Sequence, residues 1–222
     1  MTTLQTLQID TGPDPKKAVI WLHGLGASGH DFEPVVPELT VGREQPVRFI
    51  FPHAPELPVT INGGMVMPAW YDILAMNIDR TVDTSQLRAS AAMVARLIEQ
   101  ERARGLASTD IVVGGFSQGG AVAYELALSY PERLGGLFAL STYFATVDSI
   151  GLSEANRQLP VFIGHGSHDP MVVESLGQAA LSKLQSLGYQ PEYHRYPMEH
   201  SLCLEEVQDL DRFFQQVLAS AE

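Results

Sequence analysis

The stretch Gly115-Phe116-Ser117-Gln118-Gly119-Gly120 determines how the surrounding chain folds. The apolar run Ile111-Val112-Val113 precedes it and the alanine-rich segment 121–130 follows it, which is the order strand, sharp turn, helix. Glycine is expected on both sides of Ser117 because strand and helix pack closely there, and a Cβ at either position would clash. The serine then lies at a helix N-terminus, where unpaired backbone N–H groups can hold an oxyanion. The pattern therefore predicts acyl transfer through a serine ester.

The bulk composition is that of an ordinary globular chain, and it argues against several classes of partner. The 222 residues predict a single domain, 1–222, large enough to bury a core without metal or disulfide support. With 26 acidic against 14 basic residues the net charge is −12, which opposes binding to nucleic acid and to anionic lipid. The single cysteine excludes an intrachain disulfide. The absence of a secretory signal and of a long apolar run predicts a cytoplasmic location without stable membrane insertion.

Short apolar runs alternate with longer amphipathic segments along the chain. The predicted strands are Ala18–Leu22, Val47–Phe51, Ile111–Gly114, Leu137–Leu140, Val161–Ile163 and Gln190–Tyr196. The predicted helices are Ser85–Arg104, Gly119–Tyr130, Val172–Leu187 and Leu202–Ala219. Continuous apolar runs, rather than alternation, indicate strands that are covered on both faces. This order predicts an α/β fold with a mostly parallel central sheet and helices on both faces.

The segment Pro52–Asn77 departs from this alternation. It is apolar and rich in proline and glycine, with neither a helical nor a strand period. A loop of this length in a compact domain is usually functional or disordered, and its methionine and aromatic side chains argue against disorder. The segment is therefore expected to be functional, and its apolar content permits a homodimer without requiring one.

A serine nucleophile needs a neighbouring base, and the base needs an acid that holds its tautomer. After a strand–turn–helix serine of this kind, the acid comes first along the chain and the histidine second. The histidines that follow Ser117 are His165, His168, His194 and His200. His165 precedes the best acid, and His194 lies within a predicted strand. His200, in the loop before the last helix, is the candidate base, and a purely structural loop histidine is the alternative.

Asp169 is the candidate acid. It follows the strand Val161–Ile163 in the loop His165–Pro170, at the carboxyl edge of the predicted sheet, where it can accept from an imidazole Nδ1–H. Glu174 and Asp148 are the competitors, but the first is predicted one turn into a helix and the second lies farther from its strand. A plain Asp-Pro turn is the structural alternative.

Two backbone N–H groups are needed to hold the oxyanion. One is predicted to be that of Gln118, the residue after the serine. The other is predicted to be that of Leu25, in the loop His23–Gly29 that follows an early strand. This glycine-rich loop lacks the closing Gly-Lys-Ser/Thr of a phosphate-binding loop, so nucleotide binding is not expected.

Several motifs together carry a family resemblance that runs nearly end to end. Besides the serine stretch they are His23–Gly26, Phe51–Pro55, Met67–Asp72, His165-Gly166 with Asp169, and Tyr196–Met198 with His200. Through them the chain resembles the acyl-protein thioesterase and carboxylesterase family of α/β-hydrolases, bacterial members especially. The resemblance implies the α/β-hydrolase fold, with Ser117 as nucleophile, His200 as base and Asp169 as the acid that orients it. It also implies hydrolysis of carboxylic esters or thioesters without a cofactor.

In proteins of this family, the loop matching Pro58–Asn77 covers the site and helps to bind the acyl chain. The resemblance thus implies a substrate-binding role, with ordinary core cover as the alternative, for Val59, Ile61, Met65, Met67 and Trp70. One departure concerns Glu199, because family members commonly have glycine before the catalytic histidine. A positive φ there would strain glutamate, and a carboxylate near His200 is expected to alter the pH dependence of the reaction.

The predicted function is that of a serine carboxylesterase, which forms and hydrolyses an acyl-enzyme on small acyl-ester substrates with no cofactor and no metal. A lysophospholipase or an acyl-protein thioesterase that uses the same three residues is the alternative among enzymes. A hydrolase-fold binding protein with an inactive site is the remote alternative.

Overall fold

The apolar runs of the sequence form the strands of a central sheet. A computed structural model describes residues 4–43, 45–75 and 80–219. The strands are β1 (Thr6–Asp10), β2 (Lys17–Leu22), β3 (Val47–Pro52), β4 (Glu56–Val59), β5 (Met65–Pro68), β6 (Ile73–Ala75), β7 (Thr81–Val82), β8 (Ile111–Phe116), β9 (Gly136–Leu140), β10 (Val161–Gly166) and β11 (Glu192–Tyr196). Seven of them form one sheet in the order β1-β3-β2-β8-β9-β10-β11. All neighbours in it are parallel except β1 and β3, so the predicted mostly parallel sheet is confirmed.

The edge strand β1 has no counterpart among the strands predicted from the sequence. It pairs antiparallel with β3, Leu7 opposite Phe51 and Ile9 opposite Phe49. Its residues are half-buried or exposed because one side of the strand lies at the sheet edge. An edge strand needs apolar side chains on one face only, so its signal is weaker than that of a central strand.

Four helices cover the sheet, each within two residues of its predicted bounds: α1 (Thr84–Ala103), α2 (Gln118–Ser129), α3 (Glu174–Ser186) and α4 (Leu204–Val217). The side chain of Asp83 begins α1 by accepting from the backbone N–H of Gln86 at 2.9 Å. Gly105, at φ 103°, follows its end, where a left-handed residue is typical. Within the described ranges, no helix has the length and apolar character needed to cross a bilayer.

The sheet is covered on both faces, as its continuous apolar strands predict. On one face, Ile20 of β2 belongs to the core that α1, α2 and α3 share. On the other face, the 3₁₀ segment Gly29–Glu38 and α4 pack around Trp21. The Trp21 ring lies 5.1 Å from that of Phe32 and 4.9 Å from that of Phe138. Loss of this side chain would cost about 3–5 kcal/mol of stability.

The segment Pro52–Asn77 contains strands, so its interpretation as an aperiodic loop was wrong in that respect. β4 and β5 form an antiparallel hairpin, in which Gly63 and Gly64 adopt φ of 67° and 77° at the turn. β6 and β7 form a second two-stranded ribbon. Pro58 lies within β4, which a ribbon outside the main sheet tolerates. Residues 76–77 of the segment lie outside the described residues.

The carboxyl ends of the parallel strands meet at one edge of the sheet. Leu25 follows β2, Ser117 follows β8, Asp169 follows β10 and His200 follows β11. Residues that are distant in number are therefore carried to one rim, where ligands bind in open α/β sheets.

Candidate active site

Ser117 lies in a strained turn between β8 and α2. Its backbone adopts φ 53° and ψ −120°, which residues other than glycine rarely do. A Cβ added to Gly115 would lie 2.7 Å from the carbonyl oxygen of Leu22, and one added to Gly119 would lie 2.5 Å from the same atom. The two glycines therefore allow β2, β8 and the start of α2 to pack closely enough to hold the hydroxyl at the rim.

Three side chains from three loops form one hydrogen-bonded chain. Nε2 of His200 lies 3.0 Å from Oγ of Ser117, and Nδ1 lies 2.6 Å from Oδ2 of Asp169. Because an ionised carboxylate can only accept, Nδ1 carries the proton and Nε2 can accept from the serine hydroxyl. The arrangement has the geometry that a serine nucleophile, its base and an acid that orients the base require.

The carboxyl group of Asp169 is buried and held by several donors. Its Oδ1 accepts from the backbone N–H groups of Met171 and Val172, each at 2.8 Å. Burial raises the pKa of Asp169, but the hydrogen bonds from His200 and from the Val172 N–H outweigh burial and lower the pKa below its usual value. The carboxylate is therefore ionised at neutral pH and can stabilise an imidazolium.

The loop between β11 and α4 carries His200 to the serine. A Cβ added to Gly166 would lie 2.5 Å from the carbonyl oxygen of Met198, so this glycine lets the loop pack on the end of β10. The imidazole lies 4.6 Å from the ring of Phe116, between centroids. Glu199 does not have a positive φ, so the backbone strain that a positive φ would cause is absent. The residue is exposed.

The two predicted oxyanion donors border the nucleophile. Leu25 and Gln118 line the same cavity as Ser117. Gln118 is the first residue of α2, so the helix itself offers no acceptor for its N–H. A Cβ added to Gly24 would lie 3.3 Å from Cβ of Ser117, which shows that the loop before Leu25 runs beside the serine.

Side chains in roles that the sequence did not indicate support the loop His23–Gly29. The amide of Gln118 accepts from the N–H of Trp70 and donates to the carbonyl of Tyr71, each at 2.7 Å. The indole N–H of Trp70 donates to the carbonyl of His23 at 2.8 Å. Burial lowers the pKa of His23, whose neutral Nε2 accepts from the N–H of Ala54 at 3.0 Å. From the sequence, Gln118 was predicted to act through its backbone N–H alone, and Trp70 was predicted to bind substrate.

A largely apolar cavity of about 540 Å³ opens at Ser117. Among the five side chains predicted to bind substrate, Ile61 and Met67 line it. Val59 and Trp70 are fully buried and do not line it. Met65 begins β5 beside the hairpin turn, and its side chain is 64% exposed outside the cavity. Of these five, Ile61 and Met67 can therefore contact a ligand in the cavity directly. Trp70 instead supports the loop His23–Gly29 through its hydrogen bond to the carbonyl of His23.

Other lining side chains were not predicted individually from the sequence. Further apolar lining residues are Phe32, Val35, Ile73 and Leu202. Arg80 donates from its guanidinium to the carbonyl of Met171, and that guanidinium lies 5.3 Å from the ring centroid of Tyr143. The Tyr143 hydroxyl is in turn 2.8 Å from that of Tyr71. These residues carry no common pattern along the chain, and only the fold brings them together.

The fold and this constellation define a serine hydrolase of the α/β-hydrolase class. The phospholipase/carboxylesterase family model matches residues 6–218, and the chain belongs to that family. Acyl-protein thioesterase 1 of Neurospora crassa is 38% identical over 206 residues, which cover 88% of this chain and 84% of that relative. The protein is therefore a hydrolase that acts on ester bonds, and the family resemblance carried by the sequence motifs is confirmed.

Two crystal structures support the same architecture. SOBER1 of Arabidopsis thaliana superposes with a TM-score of 0.84 at 31% identity, covering 91% of this chain and 99% of that chain. Acyl-protein thioesterase 2 of Zea mays superposes with a TM-score of 0.84 at 27% identity, covering 97% of this chain and 99% of that chain. The α/β-hydrolase fold predicted from the sequence is thereby confirmed.

Proposed function

We propose that this protein is a serine carboxylesterase in which Ser117, His200 and Asp169 act through an acyl-enzyme. The observation that carries the proposal is the continuous chain of contacts, 3.0 Å from Oγ to the imidazole and 2.6 Å from the imidazole to the carboxylate. A serine hydroxyl is activated when it contacts a base that an acid holds in the right tautomer. One sheet of seven strands and a family match over residues 6–218 support a single domain.

Acylation begins with the acyl carbon of the ester beside Ser117. Oγ bonds to that carbon while its proton passes to Nε2 of His200, and Asp169 stabilises the imidazolium. The carbonyl oxygen becomes an oxyanion that accepts from the backbone N–H groups of Leu25 and Gln118. The bond from carbon to the alcohol oxygen then breaks, the alcohol takes the proton from Nε2, and the acyl group remains on Oγ.

Deacylation repeats these steps with water. Water gives a proton to Nε2 of His200 and its oxygen bonds to the acyl carbon; Oγ of Ser117 then leaves and takes that proton back. The carboxylic acid is released. Each step is a proton transfer, an addition or the loss of a leaving group within reach of the named groups, so the proposal includes no cofactor. The apolar walls at Ile61 and Met67 support binding of the acyl chain there.

Labelling with a fluorophosphonate probe tests the proposal. The wild-type protein is expected to bind one probe per chain and to hydrolyse p-nitrophenyl esters, because the probe bonds to an activated serine. Ser117→Ala is expected to lose the label and at least about 10⁴-fold in kcat. Ser201→Ala, which changes the other serine of the cavity lining, should keep the label. A wild-type protein that takes up no probe and hydrolyses no ester would favour the inactive binding protein.

A thioesterase or lysophospholipase activity at the same site is the second candidate. The observation in its favour is that the Neurospora crassa relative, at 38% identity, bears the name acyl-protein thioesterase 1. Oxygen esters, thioesters and lysolipids with matched acyl chains of graded length separate the candidates. A kcat/KM that is higher for the thioester than for the matched oxygen ester at every chain length would favour the thioesterase, and the reverse order would favour the carboxylesterase.

We also propose a cytoplasmic location and an association into homodimers, both of which stay predictions. Met65 and Val66 at the hairpin turn are 64% and 60% exposed, and exposed apolar side chains of this kind support contact between copies. Analytical ultracentrifugation tests the association. A monomer at every concentration would contradict it, and Val66→Ser would serve to map the contact if a dimer forms.

A further inference from the structure

A buried histidine beneath the catalytic acid has no part in the steps above. His165 lies on β10, and its side chain is fully buried. Chain order excludes it as the base, because it precedes Asp169. Its Nε2 lies 2.8 Å from the carbonyl oxygen of Val172, in the turn that follows the acid.

Hydrogen bonds hold Val172 through both its N–H and its carbonyl group. Its N–H donates to Oδ1 of Asp169 at 2.8 Å, next to the N–H of Met171, which donates to the same oxygen. Its carbonyl accepts from the imidazole of His165. The imidazole therefore anchors the segment whose N–H groups orient the carboxylate, and the other carboxylate oxygen holds Nδ1 of His200.

The surroundings of the His165 ring determine its tautomer. A carbonyl can only accept, so the nitrogen facing Val172, which is Nε2, carries the proton. Nδ1 has no hydrogen-bond partner among the described residues, and it faces Gly177 of α3, where an added Cβ would collide with it. Burial lowers the pKa of His165, so the ring is neutral at pH 7. Its Nε2 is 3.9 Å from Oδ2 of Asp169, too far to compete with His200 for that oxygen.

We propose that His165 is a positioning residue: as a neutral Nε2–H donor to the Val172 carbonyl, it holds the turn that aims Asp169 at His200. This inference rests on the proposed esterase mechanism. Loss of the donor is expected to misplace the carboxylate without removing it, and a misplacement of about 1 Å can cost about 100-fold in rate. His165 itself does not line the cavity, but Val172 does, so kcat is expected to change more than KM.

Steady-state kinetics of matched variants test this role. His165→Leu removes the donor and is expected to lower kcat about 10–100-fold, with a smaller change in KM. His165→Gln keeps an amide donor toward Val172 and is expected to recover most of that loss. Gly177→Ala retains every polar group but displaces the imidazole, so it should also lower kcat. His194→Leu removes a half-buried imidazole from the neighbouring strand β11 and should retain wild-type kcat.

Proton NMR gives a readout that packing alone would not move. The Nδ1–H of His200, bonded to the carboxylate of Asp169, resonates far downfield; we expect it to shift upfield in His165→Leu and to return in His165→Gln. Unchanged kcat in folded His165→Leu would overturn the proposal. Equal losses of kcat in His165→Leu and His165→Gln, with the His200 resonance unmoved, would also overturn it. If His165→Leu does not fold, wild-type kcat and resonance in Gly177→Ala would overturn it. A wild-type protein without esterase activity would instead overturn the proposed function.

Discussion

The turn after β10 and the first turn of α4 each bury a carboxyl group, and the two groups behave in opposite ways. Asp169 accepts from two backbone N–H groups and from an imidazole, and these donors lower its pKa despite burial. Glu206 is fully buried, and neither of its oxygens has a hydrogen-bond partner in the part of the chain that the structure describes. Burial raises the pKa of Glu206 to about 8.

The comparison shows that hydrogen-bond donors, and not the extent of burial, decide whether a buried carboxyl group is charged. Burial by itself favours the neutral form of a carboxyl group. The turn at Asp169 points its own peptide N–H groups at the carboxylate, whereas α4 lays Glu206 against Gly164 of β10, where an added Cβ would collide with Oε1. One acid is therefore maintained as an ion in contact with His200, and the other is tolerated as a neutral group.

Apart from loss of the serine hydroxyl, Asp169→Asn should have the largest effect on activity. An amide in place of the carboxylate favours the wrong imidazole tautomer in His200, and we expect kcat to fall about 10⁴-fold with KM little changed. Asp148→Asn is the matched control, since Asp148 is the exposed acid that competes with Asp169 in the sequence. Ester hydrolysis by the two variants measures the difference. A loss below about tenfold in Asp169→Asn would mean that the carboxylate does not orient the base.

Glu206→Gln should have the largest effect on stability. The folded pKa of about 8 lies above the usual 4.5, so the unfolded chain loses its proton first and wild-type stability falls as pH rises from 4.5 to 8. Each pH unit in this window costs up to about 1.4 kcal/mol, and the variant should not show this decline. Urea unfolding at pH 5 and pH 8 measures it, with exposed Glu205→Gln as the control. Parallel pH dependences in wild type and Glu206→Gln would contradict a neutral Glu206.

Glu199→Gly should have the smallest effect of the three. Glu199 is exposed and its backbone is unstrained, so glycine is expected to change the free energy of unfolding little. Its carboxylate adjoins His200 in sequence, and its removal is expected to shift the pH–rate curve more than it shifts stability. Rates measured from pH 5 to pH 9 would show this. Superimposable curves would exclude a part for Glu199 in the pH dependence.

Local patterns were sufficient to predict most of the scaffold. Continuous apolar runs marked the central strands because both faces of those strands are covered, and the turn at Ser117 was readable because its two glycines are sterically required there. The choice of Asp169 and His200 followed from chain order along a parallel sheet. The contacts at 2.6 and 3.0 Å now give that choice a geometry.

The residues that line the cavity were harder to predict, because neighbouring side chains of the segment Pro52–Asn77 face different surroundings. Met65 and Met67 share the strand β5, yet only the second lines the cavity. Trp70 is as apolar as either, but its indole N–H is used to hold the carbonyl of His23. Phe32 comes from a 3₁₀ segment whose place beside the serine follows from packing on Trp21 rather than from its own sequence.

The sequence by itself determined the α/β order of elements and the serine turn, and it predicted a candidate acid and a candidate base. These depend on local sterics and on the rule that parallel strands end at one edge. Only the tertiary structure decided which apolar side chains face the cavity, that His165 contacts the carbonyl of Val172 in the turn after Asp169, and why Asp169 is charged while Glu206 is neutral. The physical reason is that burial and hydrogen-bond partners come from residues far apart along the chain, so no local pattern contains them.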